Sequence, residues 1–311
     1  MGSRVVVIGS LSMDMVFQVP RRPARGETVK GFSCETFVGG KGNNQALAAA
    51  KAGAEVAMVG KVGDDEYGKL IREELEKNAV DTSCLFIDKE SGSGLANIYV
   101  DPDGDNSIVI VPRANDRLNK EDIDRARDII AEAELVMLQL EVPLETVIYA
   151  AELARKVNTK VMLNPAPAPD GGALPQALLG LLDYLIPNES EAALLTNLPV
   201  DNLESAKNAL AKFKSMTDAT VIITLGEKGV VTSDRNGEHI YHPAFPVDAV
   251  DTTAAGDAFL GCLAGKLVEN VELQSAIKYA CAAGALATTV PGAVPSLPYR
   301  EKIEELAGTR N

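Results

Sequence analysis

Asp251-Thr252-Thr253-Ala254-Ala255-Gly256-Asp257-Ala258-Phe259-Leu260-Gly261 is the stretch around which this chain is read. Ahead of it, Ala244-Phe245-Pro246-Val247-Asp248-Ala249-Val250 has the look of a strand entering a turn. Behind it, residues 258–268 are apolar at helical spacing and free of proline. The stretch is therefore predicted to be a turn that opens a helix. Small residues there let backbone N–H groups approach an anion, and a helix start leaves such donors unpaired. The helix dipole stabilises negative charge at the same place. Asp257 adds a carboxylate. An anion site with a base beside it suits phosphoryl transfer to a hydroxyl, where positioning and charge stabilisation carry the reaction. An acidic residue in the first turn of an ordinary helix is the plainer alternative.

Working outward, 311 residues allow one large α/β domain or two smaller ones. A net charge of −14 argues against a nucleic-acid or anionic-membrane surface. No signal-peptide pattern or membrane-length apolar run is found, so a cytoplasmic protein is expected. Cys34, Cys84, Cys262 and Cys281 lack CxxC spacing and read as reduced thiols. The two histidines, His239 and His242, share one strand-like segment and make a poor zinc site. Carboxylates are then the natural acid–base groups.

Residues 4–9 form a short β-branched run ending in Gly9, the pattern of a buried parallel strand. Ligands in open α/β sheets bind beyond the carboxyl ends of strands, which puts Ser12 and Asp14 at a candidate site. No GxGxxG follows this strand, which counts against a dinucleotide-dependent oxidoreductase. The loop with Arg21, Arg22 and Arg25 is either a basic patch for a nucleotide or a solvated loop. Val38-Gly39-Gly40-Lys41-Gly42-Asn43-Asn44-Gln45-Ala46 precedes an Ala-rich helix, and its spacing is not that of a Walker A loop. Residues 28–38, 95–100 and 107–111 read as strands, the last two joined by Asp101-Pro102-Asp103-Gly104-Asp105-Asn106. They are expected to form a small antiparallel sheet off the main domain.

From residue 118 the pattern alternates: a helix over 120–133, then strands at 135–140, 160–163, 184–186 and 220–224, with helices between. The strand ends carry Glu141, Asn164, Asn188 with Glu191, and Thr224 with Gly226 and Gly229. Such alternation implies a parallel sheet covered on both faces. An isolated Asn or Glu at a helix start is ordinarily a cap. Residues 272–289 form a long Ala-rich helix.

The stretch around Asp257 resembles the C-terminal signature of the ribokinase (PfkB-type) carbohydrate kinases, D-T-x-A-A-G-D-x-F. Residues 39–46 resemble that family's G-G-K-G-x-N-Q-A, and the short strand-end motifs fall in family order across nearly the whole chain. The resemblance implies a single domain over 1–311: a three-layer α/β/α sandwich with a mostly parallel sheet and a β lid from about 11–38 and 93–112. It implies an ATP-dependent kinase acting on a primary hydroxyl, with O5 of D-ribose the leading acceptor. A nucleoside, fructose or 2-keto-3-deoxygluconate is the alternative. Asp257 would be the base, and the backbone of Ala254, Ala255 and Gly256 the anion hole. Ser12, Asp14, Gly40, Lys41, Asn44, Glu141 and Asp257 itself would hold the sugar, although the family carries Asn where this chain has Ser12. Thr224, Gly226, Gly229, Gly256, Asn188 and Cys281 would contact ATP. Asn188 and Glu191 would order Mg2+ through water. Asp251, Thr253, Ala287, Val290, Gly292 and Ser296 would hold a monovalent cation, K+. A homodimer through the lid is implied. Arg113 stands where the family carries Gly, either as a cation near the substrate or as a surface residue.

Overall fold

The computed structural model describes residues 4–309 apart from 104, 170, 235 and 236. Two sheets organise it. The large one has nine strands. In chain order these are β1 (Arg4–Ile8), β4 (Glu55–Gly63), β5 (Asp81–Asp88), β8 (Leu135–Leu138), β9 (Lys160–Leu163), β10 (Tyr184–Leu185), β11 (Thr220–Thr224), β12 (Val230–Ser233) and β13 (His239–His242). Their spatial order is β13-β12-β11-β10-β9-β8-β1-β4-β5. Pairing is parallel from β5 to β11, and β12 and β13 add antiparallel. The small sheet holds β2 (Ser12–Gln18), β3 (Ser33–Gly39), β6 (Gly94–Val100) and β7 (Asn106–Val111) in the order β3-β2-β6-β7. Its two outer pairs are antiparallel, and its central pair, β2 with β6, is parallel. Gly104, in the loop between β6 and β7, lies outside the described residues.

The sheet is parallel because its central strands are apolar on both faces: Val5, Val6, Val7 and Ile8 of β1 are all buried. One core fills the face covered by the helices Lys41–Lys51, Ala255–Val268 and Leu273–Ala287. The other fills the face covered by Leu144–Lys156 and Leu203–Phe213. Each fully buried Leu, Ile or Phe contributes about 1.5–3 kcal/mol. That three-layer stack brings the carboxyl ends of β1, β8, β9, β10 and β11 to one edge.

Local departures from the sequence reading have identifiable causes. Residues 244–250 form no strand: Pro246 has no N–H to offer a ladder, and the Val250 and Asp251 N–H groups donate to the Thr288 carbonyl at 2.8 and 3.1 Å. Residues 28–32 stay irregular before β3. The expected helix over 120–133 breaks at Ala126 into Lys120–Arg125 and Arg127–Ala131. β5 lies at the sheet edge and alternates too irregularly to be read as a strand. No helix among the described residues is long and apolar enough to cross a membrane.

Candidate active site

The helix Ala255–Val268 begins without a side-chain cap, and Ala254 before it is left-handed, at φ 59°. The Ala255 N–H donates to the Thr252 carbonyl at 3.2 Å, but the Gly256 and Asp257 N–H groups donate no hydrogen bond among the described residues. A Cβ added to Gly256 would meet nothing within 4 Å, so this backbone faces open space. Two free donors at a helix start have the chemistry to receive an anion.

Asp257 sits in the first turn, partly buried. Asn44 Nδ2 donates to its Oδ2 at 3.2 Å and Gln45 Nε2 to its Oδ1 at 3.0 Å. Both donors come from the helix Lys41–Lys51, which packs along the helix of Asp257. The Gly-rich turn allows that approach. Gly40 has φ 93°, and a Cβ there would lie 2.9 Å from the Leu11 Cα. The turn therefore closes on the link between β1 and β2. There Ser12 Oγ donates to Asp14 Oδ1 at 2.7 Å, and the Lys41 N–H donates to Glu141 Oε2 at 3.1 Å.

Lys41, Asp14, Glu141 and Asp257 thus form one charged cluster. Burial pushes the Asp257 carboxyl up, against Lys41, Gln45 and Asn44, which favour its charged form. Asp14 is raised to about 6, chiefly by burial, with Glu141 and Asp257 adding to the rise and Ser12 opposing it. Burial pulls Lys41 down, but Asp257, Glu141 and Glu191 outweigh it and hold the ammonium above its ordinary value. Three carboxyl groups sharing one cation make a site in which a proton is easily moved.

Beside Asp257 lies a cavity of about 160 Å³, lined by Lys41, Asn164, Asn188, Glu191, Thr224 and Gly256 among others. Asn188 and Glu191 form a full capping box on the helix Glu189–Thr196. Asn188 Oδ1 accepts from the Glu191 N–H at 2.9 Å, and Glu191 Oε2 accepts from the Asn188 N–H at 3.0 Å. The two residues of the cap therefore also line this cavity. No cluster of three or more metal-ligating side chains exists among the described residues. The pair fits Mg2+ held through water, since a carboxylate with two hydrogen bonds keeps free lone pairs. Burial raises Glu191, with Asn188 and Lys41 opposing and Asp257 adding to it.

Asp251 and the loop after the helix Leu273–Ala287 also meet: Asp251 Oδ2 accepts from the Gly292 N–H at 2.7 Å and Oδ1 from Thr253 Oγ1 at 2.7 Å. Burial works against the Asp251 carboxylate, but the bonds from Thr253 and Gly292 hold its carboxyl below the usual range. The carbonyls of Asp251, Thr253, Val290 and Gly292 accept no backbone hydrogen bond among the described residues. Free carbonyls around a fixed carboxylate suit a cation. The Ala287 carbonyl accepts a long bond from Val290 at 3.5 Å, and Ser296 Oγ donates to the Ala293 carbonyl.

Gly226 and Gly229 turn the chain after β11 with φ 52° and 98°, and Thr224 bridges to Asn188. Cys281 is buried in its helix and does not line the cavity at Asp257. Arg21 pairs with Glu27 in an exposed loop. Arg113, left-handed at φ 51°, points towards Gly92 and Asp65: a Cβ at Gly92 would lie 3.0 Å from both the Arg113 guanidinium and an Asp65 carboxylate oxygen. Three residues to which the sequence reading gives no role adjoin this cluster: Gln45, Gln139 and Asn164, joined by hydrogen bonds of 2.7 and 3.3 Å. Only the places of Gln45 beside Asn44 and of Asn164 at a strand end could have flagged them. A larger cavity, about 710 Å³, opens at the amino ends of β10 and β11 among Lys214, Asp218, His239 and Glu272, away from this cluster.

The chain is similar to known proteins over nearly its full length. The profile described as "pfkB family carbohydrate kinase" matches residues 3–300. The chain is 39% identical to a ribokinase of Haemophilus influenzae over 305 residues, covering 98% of each. It is 38% identical to a deoxyribokinase of Salmonella typhi over 301 residues, covering 97% of each. Its fold matches the structure of Arabidopsis thaliana ribokinase complexed with ribose and ATP at a TM-score of 0.90, with 32% identity and 99% of each chain covered.

Proposed function

This chain belongs to the pfkB family of carbohydrate kinases, and we propose that it transfers the γ-phosphoryl group of ATP to O5 of D-ribose. The observation that carries this reading is the juxtaposition of Asp257 with the unpaired Gly256 and Asp257 N–H groups at one helix start. One group takes a proton while the others receive negative charge.

Asp14, Glu141, Asn44 and Lys41 surround the space next to Asp257 and offer acceptors and donors for sugar hydroxyls. With Asn44 and Gln45 each occupying one oxygen, Asp257 keeps lone pairs for the attacking hydroxyl. Its carboxylate accepts that proton as charge builds, help of about 10²–10⁴-fold. The two free N–H groups face the transferred phosphoryl group and stabilise its oxygens. The ATP phosphates lie along the cavity lined by Asn188, Glu191 and Thr224, with the nucleotide over the Gly226–Gly229 turn. Bound Mg2+ would neutralise phosphate charge there. Asp251 and the 287–296 loop would hold K+, whose positive charge would favour the anion at the helix start, while the bonds from Gly292 and Thr253 to Asp251 fix the turn six residues before Asp257.

Two observations favour a second acceptor, 2-deoxyribose. Ser12 spends its hydroxyl on Asp14, and the 38% identity to the Salmonella typhi deoxyribokinase is within one per cent of the 39% to the Haemophilus influenzae ribokinase. The exposed edge strand β7, with Ile108, Val109, Ile110 and Val111 each about half exposed, supports pairing of two copies through the lid. Incubation with D-ribose and MgATP, followed by 31P NMR of the product, tests the reading. Phosphate on O5 supports it, and an ADP signal with no sugar phosphate overturns it.

A further inference from the structure

A chain of buried amides runs behind Asp257. The Ile186 carbonyl, at the end of β10, accepts from Asn164 Nδ2 at 3.1 Å. Asn164 Oδ1 then accepts from Gln45 Nε2 at 3.3 Å, and Gln45 Oε1 accepts from Gln139 Nε2 at 2.7 Å. Gln45 and Gln139 are fully buried. A backbone carbonyl can only accept, so it fixes which way the Asn164 amide points. Asn164 in turn presents an acceptor to Gln45, and Gln139 presents a donor to its other end. The Gln45 amide therefore has a single direction, with N–H towards Asp257.

We infer that Gln45 is a positioning residue for Asp257: the Ile186 carbonyl, through Asn164, compels Gln45 to offer a donor to the carboxylate and so sets its rotamer and its affinity for a proton. The inference rests on the role proposed above for Asp257.

The fold is shaped around this chain. Gly9, at the end of β1, leaves room for it, because a Cβ there would lie 1.8 Å from Gln139 Oε1. That Oε1 is buried and has no hydrogen-bond partner, and burying such a group is costly. The cost is tolerable because the other end of the same amide holds Gln45. The alternative, a plain packing role for the two glutamines, would be served by apolar side chains of equal volume. It gives no reason for a run of three donor–acceptor links from the Ile186 carbonyl to the carboxylate, with Gln139 holding the other end of Gln45. Other charged groups face Asp257 from every side: Lys41 from the helix 41–51, Glu141 after β8, Asp14 on β2 and Glu191 on the helix 189–196.

The test uses two apolar variants, Gln45→Met and Asn164→Leu. The first removes the donor. The second leaves Gln45 intact and removes the group that sets its direction. The full-length protein is labelled with 13C at aspartate carboxyl carbons, and the Asp257 signal is assigned by its loss in Asp257→Asn. The Asp257 titration midpoint is expected to move up in both variants: Gln45→Met removes a hydrogen bond that favours the charged form, and Asn164→Leu frees the Gln45 and Gln139 amides to turn together, since Gln139 Oε1 has no partner to hold it, and so to withdraw that donor. With ribose and ATP, Gln45→Met lowers kcat about tenfold and leaves sugar KM within about twofold. A variant that melts cooperatively yet titrates at Asp257 as the wild type does overturns the inference. If Gln45→Met does not fold, Asn164→Leu decides by the same signal. The titration needs no turnover, so an inactive wild type would count against the proposed kinase reading and not against this one.

Discussion

Ser12 Oγ donates to Asp14 Oδ1 at 2.7 Å, two residues apart on one strand. The serine hydroxyl is thereby committed to a carboxylate of its own chain. Asp14, raised to about 6, is ionised at neutral pH and neutral in mild acid. As pH falls through about 6 it gains a proton and loses acceptor capacity for sugar hydroxyls. Sugar KM is therefore flat above about pH 7 and climbs up to tenfold per unit below the midpoint. Ser12→Ala removes a bond that favours the carboxylate, so the climb starts at higher pH. Steady-state KM against pH for both proteins checks this, and coincident profiles would contradict it.

Asp257→Ala is expected to lower kcat by about 10²–10⁴-fold with modest change in sugar KM. The lost group acts on the transferred proton rather than on ground-state binding. A kcat near the wild-type value would remove Asp257 from the base role.

Asn188 and Glu191 cap a helix and face the cavity at once. Asn188→Ala should cost about 1 kcal/mol of stability, measured by urea unfolding. Glu191→Gln should also raise the Mg2+ concentration needed for half-maximal rate. A variant that loses stability with unchanged Mg2+ dependence would show the pair to be a cap alone.

Gly40→Ala forces a side chain onto φ 93° and to within 2.9 Å of the Leu11 Cα. About 1–3 kcal/mol of strain is expected, seen as a lower Tm together with weaker sugar binding. An unchanged Tm would mean that the turn relaxes freely.

The edge strand β7 predicts a dimer at low micromolar concentration, and Ile108→Lys with Ile110→Lys should yield monomers. Light scattering after gel filtration reads both. A wild-type monomer would leave this strand exposed in solution and remove the lid interface.

Much of this was legible in the sequence because buried parallel strands read as continuous apolar runs and deliver their polar residues to one edge. That pattern puts Asp14, Glu141, Asn188 and Thr224 near that edge, and the family resemblance supplies the roles expected of them. The turn at Gly40 and the helix start at Asp257 carried their own local signals. What escaped depends on partners distant in the chain. Gln45 meets Gln139, 94 residues away, and Asn164, 119 residues away, and nothing in its neighbourhood reveals those links. β2 pairs with β6 in parallel across the intervening β3, β4 and β5, so the mixed order of the small sheet is not readable either. Strand propensity at 244–250 was overruled by Pro246 and by the competing Thr288 carbonyl.

The central claim is best tested by ATP-dependent ADP release with D-ribose, 2-deoxyribose, fructose, adenosine and 2-keto-3-deoxygluconate, each with K+ and with Na+ alone. The account predicts the highest kcat/KM on D-ribose and a rate raised by K+. A preference for another acceptor would keep the Asp257 chemistry and contradict the assigned sugar, and no turnover on any of the five would contradict the proposed sugar-kinase activity.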